Sequence, residues 1–175
     1  MDLRTVGEVA SIPDDASPIQ VGTEGAYRNT AFQVVGRIAY GYEQGSWNEW
    51  HLIFNDGKSG WLSDAQLEYA VSFLTTPPAS LPGSRAILVD HEFSWNDAVY
   101  RVTSVTEARY SGVEGELPFE YWGKELLKFV DLRTRDGRFG TIDYSEDPPL
   151  LFLGEGVTFS ELKLKNLREF EGWRL

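Results

Sequence analysis

A strand, an Asp-Gly turn and a second strand occur twice in this chain, and no other feature restricts the possible folds as strongly. The first copy runs through residues 47–54, the turn Asn55-Asp56-Gly57 and residues 58–62. The second runs through 127–134, the turn Arg135-Asp136-Gly137 and residues 138–144. Asp-Gly between two apolar runs is a hairpin signal, because the tight type I′ turn needs positive φ at both central residues, which Asp tolerates and Gly adopts freely. Two such hairpins point to an all-β fold made of two related small antiparallel sheets or barrels in tandem, pseudo-duplicated and with little helix. A solenoid would need at least three copies.

With two-residue loops the faces follow by counting. Asn55 faces Lys58, Phe54 faces Ser59 and Leu52 faces Trp61, so Trp50, Leu52, Phe54 and Trp61 share a core face while Trp47, Glu49, His51 and Ile53 take the other. The same count sets Asp131 opposite Ile142 and Asp143 opposite Val130, which sends the two acids to opposite faces.

The chain divides accordingly. Residues 1–16 read as a lead-in with one extended run at 6–12, and 17–75 as a first β subdomain with strand signals at 24–28, 32–42, 47–55, 59–62 and 69–75. Gly36 inside the second run marks a bulge or bend. Residues 76–83 hold Pro77, Pro78 and Pro82 and read as a linker, since proline cannot donate to a ladder. A second β subdomain covers 84–157, with strand signals at 85–89, 91–95, 98–109, 127–134, 138–144 and 150–153. Matching Gly22 to Gly83, Phe32-Gln33-Val34 to Tyr100-Arg101-Val102 and Gly57 to Gly137 leaves an insertion at 111–125. Residues 158–175 form a C-terminal extension in which Thr158-x-x-Glu161 resembles a helix capping box, whereas Leu162-Lys163-Leu164-Lys165 alternates like a strand; a short strand or turn is favoured.

Composition excludes several function classes. With 27 acids against 16 bases, a net charge of −11 disfavours nucleic acid and anionic membrane surfaces as partners and suits a basic or cationic one. Cysteine is absent, which removes disulfides and thiolate chemistry. No run approaches the ~18 apolar residues of a membrane span, and Met1-Asp2-Leu3-Arg4 lacks a signal-peptide pattern, so direct membrane insertion is not expected and a cytoplasmic location is.

Candidate chemistry is sparse. The only histidines are His51 and His91, and Asp90-His91-Glu92 with Asp97 reads as a solvated hairpin tip rather than a ligand set. Asp131 and Asp143, on opposite faces, cannot serve as an acid–base pair, which must converge on one substrate. No catalytic residue, metal ligand or cofactor is therefore expected, and the chain reads as a non-enzyme. Trp47 and Glu49 remain as contacts for a ligand or partner. The insertion adds Glu114, Glu116, Phe119, Tyr121 and Trp122, on a loop that either covers one end of a barrel or binds a partner.

Val21-Gly22-Thr23-x-Gly25, Phe32-x-Val34-x-Gly36-Arg37, Trp47-Asn48-Glu49-Trp50, Asp56-Gly57-x-x-Gly60-Trp61-Leu62 and Glu114-Gly115-Glu116-Leu117-Pro118 together resemble the domain of unknown function 4178 family over most of the chain. The resemblance implies a bacterial protein encoded near polyamine-synthesis and membrane-associated genes, and it supplies no catalytic residues. Longer relatives add zinc-ribbon segments whose cysteines this chain lacks, so no metal role follows. The reading is a cytoplasmic bacterial accessory module that binds another protein through an exposed face or edge without catalysis. A binder of a small cationic ligand such as a polyamine is the alternative, and an enzyme of undefined reaction the third.

Overall fold

The computed structural model describes residues 4–5, 17–119 and 126–169. The extended run expected at 6–12 lies outside them. Eleven strands follow in order: β1 Arg4–Thr5, β2 Glu24–Tyr27, β3 Thr30–Tyr42, β4 Gly45–Phe54, β5 Ser59–Ala65, β6 Glu68–Thr75, β7 Glu92–Trp95, β8 Ala98–Leu117, β9 Leu127–Arg133, β10 Arg138–Asp143 and β11 Leu150–Val157. All pairings are antiparallel. The described helix is one 3-10 turn, Ser160–Leu162, followed by an isolated bridge from Lys165 to Glu24, so the described part of the extension, residues 158–169, holds a turn and a short strand contact.

The two halves do not form separate sheets or barrels. β6 pairs with β11 and β3 pairs with β8, so β3-β4-β5-β6-β11-β10-β9-β8 closes into one eight-stranded antiparallel barrel. Each half contributes four consecutive strands. The physical reason is that two open four-stranded sheets would each expose two edges, and joining them edge to edge removes all four. β2 and β7 lie outside the ring, on β3 and β8.

β3 and β8 carry bulges, between Val34 and Gly36 and between Val102 and Ser104, and each bulge exchanges the two faces of its strand. Before them Phe32 and Val34, or Tyr100 and Val102, point outward. After them Ile38 and Tyr40, or Ser104 and Thr106, point into the barrel. Three apolar clusters result. One lies outside the first half, where Ile19 and Leu162 cover Val34, Trp50, Leu52, Leu62 and Val71. One lies outside the second, where Ile87 and Leu81 cover Val102, Val130, Leu132, Ile142 and Leu151. The third, with Ile38, Tyr40, Trp61, Val113, Leu117 and Leu127, is inside the barrel.

The halves also match in backbone detail. Gly22 N donates to Val34 O at 2.8 Å and Asp90 N to Val102 O at 2.9 Å; Val34 N donates to Thr23 O at 2.8 Å and Val102 N to His91 O at 2.9 Å. Asp90, not Gly83, therefore stands where Gly22 stands. It adopts φ 72° there, a conformation Asp accepts more readily than most residues. Residues 85–89, expected as a strand, form turns leading to this point.

Both hairpin loops are one residue longer than counted. Phe54 N donates to Lys58 O and Gly57 N to Phe54 O, each at 2.9 Å, and only Gly57 of the loop has positive φ, 85°. Gly137 repeats this at φ 90°. A three-residue loop with Gly alone in the left-handed region replaces the type I′ turn. The register slips by one, so Trp61 pairs with His51 and Asp131 with Thr141. One residue of slip moves a whole strand's side chains to the other face.

The described part of the expected insertion, residues 111–119, is largely strand. Residues up to Leu117 extend β8, and Val113 lies opposite Ile38 and Gly115 opposite Gly36. The two backbones approach so closely that a Cβ on Gly36 would sit 2.1 Å from Glu116 O, and one on Gly115 would sit 2.3 Å from Val35 O. Side chains at either position would push the closing strands apart.

Candidate functional site

The slip in register brings polar groups to the inside of the barrel. β4 directs Trp47 and Glu49 inward, β5 Trp61 and Ser63, β9 Phe129 and Asp131, and β10 Thr141 and Asp143. All line one cavity of about 1840 Å³ that also meets Tyr40, Tyr110 and Phe152. An eight-stranded barrel is just wide enough to be filled by side chains or to hold one small ligand. Here small residues leave the space, since Ser63, Ala70, Ser72, Ser104 and Gly156 all face it.

One wall is aromatic. Tyr40 stacks on Trp47 at 4.8 Å between ring centroids and meets Tyr110 at 5.2 Å and Phe129 at 5.1 Å; Trp47 meets Phe129 edge-on at 5.8 Å. These rings touch, so they pack one part of the barrel and leave no slot between them. Elsewhere Trp61 stacks with Phe119 at 6.0 Å.

The carboxylates sit against this wall. Glu49 accepts hydrogen bonds from Ser63 Oγ at 2.8 Å and Trp47 Nε1 at 3.1 Å. Burial pushes its carboxyl up to about 7; the bonds from Ser63 and Trp47 oppose this, and the charges of Asp131 and Asp64 add to it. Asp131 accepts from Thr141 at 3.0 Å and Ser104 at 3.2 Å, and burial again raises its pKa against those bonds and the charge of Arg133. Asp143, bonded to Ser145, is raised by burial too. Among the described residues no ion pair involves any of the three. No group of three or more His, Asp or Glu among them could hold a metal ion. All three line the one cavity, and Glu49 lies close enough to Asp131 to feel its charge.

His51, fully buried, lies beside this space. Its Nδ1 donates to Glu116 O at 2.9 Å, its Nε2 is 2.6 Å from Ser59 Oγ, and burial lowers its pKa, which favours the neutral ring packed against Trp61.

The contacts expected from sequence separate into three sets. Trp47, Glu49 and Phe119 come together on the cavity. Glu114 and Glu116 do not, because they alternate with Val113 and Leu117, which point in; Glu114 instead lies 3.6 Å from Arg37 on the outside. Tyr121 and Trp122 lie outside the described residues. Counting missed Trp61, Asp131, Thr141 and Asp143. The alternation at 127, 129, 131 and 133 and at 139, 141 and 143 was visible, but its phase depended on loop length.

No helix among the described residues is long and apolar enough to cross a membrane. No curated protein and no solved structure matches the chain. Residues 20–159, the barrel with β2 and β7, match the family model described as Domain of unknown function (DUF4178), and the chain belongs to that family.

Proposed function

We propose that the protein binds a small organic cation inside its barrel and performs no catalysis on it. The observation that supports this most is the cavity itself: three half-buried carboxyl groups, Glu49, Asp131 and Asp143, face it without an ion-pair partner among the described residues, beside aromatic rings. A carboxylate kept from water gains most from a cation brought to it, and rings add cation–π attraction. Three carboxyl groups on one cavity suit a ligand with more than one positive charge, such as a polyamine, over a single ammonium. A cytoplasmic bacterial setting fits such a ligand.

The two halves are read as an internal duplication, supported by the matched hydrogen bonds at Gly22 and Asp90 and at the two loops. A duplicated sheet closing on its twin makes a barrel whose lining comes equally from both copies.

Calorimetry with spermidine at about 50 and 150 mM salt tests the binding reading, because diffuse attraction to a surface fades over that range while a desolvated site is screened less. Micromolar binding that survives the higher salt and drops about tenfold in Asp131→Asn supports it. Weak heat that vanishes with salt, unchanged by the substitution, overturns it.

A further inference from the structure

The two halves place their large and small inner side chains in opposite order. Between β5 and β6 the ring of Trp61 lies opposite Ser72; at the matching places between β10 and β11, Thr141 lies opposite Phe152. The second half therefore sets a phenyl ring beside a small polar residue, whose hydroxyl bonds Asp131 at 3.0 Å. The register extends this arrangement. Phe152 pairs with Leu74 on β6 and Thr141 with Asp131 on β9, so Leu74, Phe152, Thr141 and Asp131 follow one another across four strands on the inner face. Two residues further along β10, Asp143 pairs with Leu150.

Neighbouring strands lie about 4.8 Å apart, so along the wall Leu150 stands about 5 Å from Asp143, Phe152 about 10 Å from Asp131 and Leu74 about 14 Å from it. All of them line the cavity. Leu74 is 58% exposed, and among the described residues neither it nor Leu150 belongs to any of the three apolar clusters. Together with the half-buried ring of Phe152 they make an apolar ledge that ends at two acids. Ligand sites are mostly apolar, with a few polar groups that fix orientation. A bare polyamine would satisfy the acids and leave the ledge wet. The space of about 1840 Å³ also exceeds the roughly 300 to 1,000 Å³ that hold a drug-sized ligand, so it has room for more than a thin chain.

We propose that the ligand is an amphiphilic amine, its cationic head meeting Asp131 and Asp143 and its apolar body lying on Phe152, Leu150 and Leu74. The class is a diamine or polyamine that carries a hydrocarbon or aromatic group. This rests on the reading that the barrel binds a cation, and it adds the part of the molecule that the acids do not recognise. The first half offers no second ledge of this kind, because His51 and Ser63 stand where the acids do and Trp61 fills the place of Thr141. Each methylene buried completely raises affinity about fourfold; a ledge touches one side of a chain, so about twofold per methylene is expected.

Calorimetry of the full chain with N-butyl-, N-hexyl- and N-octyltrimethylenediamine, each below its micelle concentration, tests this; the series shares one diamine head with spermidine. From butyl to octyl the affinity is expected to rise about tenfold. In Leu74→Gln, a change at an exposed position outside the apolar clusters, the octyl-to-butyl ratio should fall to about two, whereas Asp131→Asn should weaken every member about tenfold and keep the ratio. Equal affinities along the series overturn the proposal and leave the cation reading to the spermidine measurement. A ratio unchanged in Leu74→Gln also overturns it, since the chain would then lie elsewhere. Octanol binding as tightly as the octyl diamine overturns both readings, because the charged head would count for nothing. Spermidine failing to bind while the series keeps its ratio supports the apolar body and overturns only the bare polyamine, so the two readings fail separately.

Discussion

Outside the barrel, Trp50, Leu52, Leu62 and Val71 cover the first half as Val130, Leu132, Ile142 and Leu151 cover the second; inside, Glu49, His51 and Ser63 stand where Phe129, Asp131 and Asp143 do. The outer positions are apolar in both halves because each must bury against a covering segment, Leu162 over one and Leu81 over the other. The inner positions differ in kind: Glu49 stands where Phe129 does, and neutral His51 and Ser63 stand where the acids Asp131 and Asp143 do. Their only shared requirement is to fit a barrel, so they can diverge while the total stays balanced. Within one fold, the outward face reads as scaffold and the inward face as the place where chemistry can vary.

The comparison breaks most visibly if the halves are separate folding units. Trp50→Ala removes a buried ring from one outer core and is expected to cost about 3 to 5 kcal/mol, against about 2 kcal/mol for Val130→Ala at the matching place. Because β6–β11 and β3–β8 join the halves, both variants should unfold in one transition in urea. Two transitions, one of them unshifted by each substitution, would contradict the shared barrel.

The inner faces are compared by pH. Glu49 binds its proton more tightly in the folded state, with a carboxyl raised from 4.5 to about 7. A raised carboxyl means the folded state holds the extra proton, so stability is greatest below the ordinary value and declines as pH rises from about 4.5 to about 7. The decline expected from this group is about 2 to 3 kcal/mol. In Glu49→Gln that part should disappear, leaving the smaller decline due to Asp131 and Asp143, also raised by burial. An identical pH profile in the variant would show that Glu49 is solvated and charged throughout. The same proton opposes a bound cation, so spermidine affinity should increase as pH rises through about 7.

The smallest expected effect sharpens the match between halves. Gly57→Ala and Gly137→Ala each place a side chain at positive φ with open space around it, so only backbone strain counts, about 1 to 2 kcal/mol. Equal losses in thermal melts fit two equivalent loops; a loss at one position alone would mark the other loop as free to change conformation.

The residues by themselves determined a good deal. Alternating apolar runs bounded by Gly and Asp give strands whatever surrounds them, because pleated backbone turns successive side chains to opposite faces. The repeated hairpin, the positive φ of Gly57 and Gly137 and the bulge near Gly36 belong to this local level. Trp47 and Glu49 were legible as candidate contacts because they fall in one phase of β4. What was not local was which phase faces inward. A loop of three residues rather than two put Trp61 on the face of Glu49 and His51 and brought Asp131 and Asp143 onto one face, and that length depends on hydrogen bonds closed across the hairpin. Nor could local pattern reveal that residues up to Leu117 continue β8, since their partner is β3, far away in sequence. Barrel closure decided both matters. Edges pair with whatever edge the whole chain brings to them, and a cavity exists only once opposite walls are set at a fixed distance.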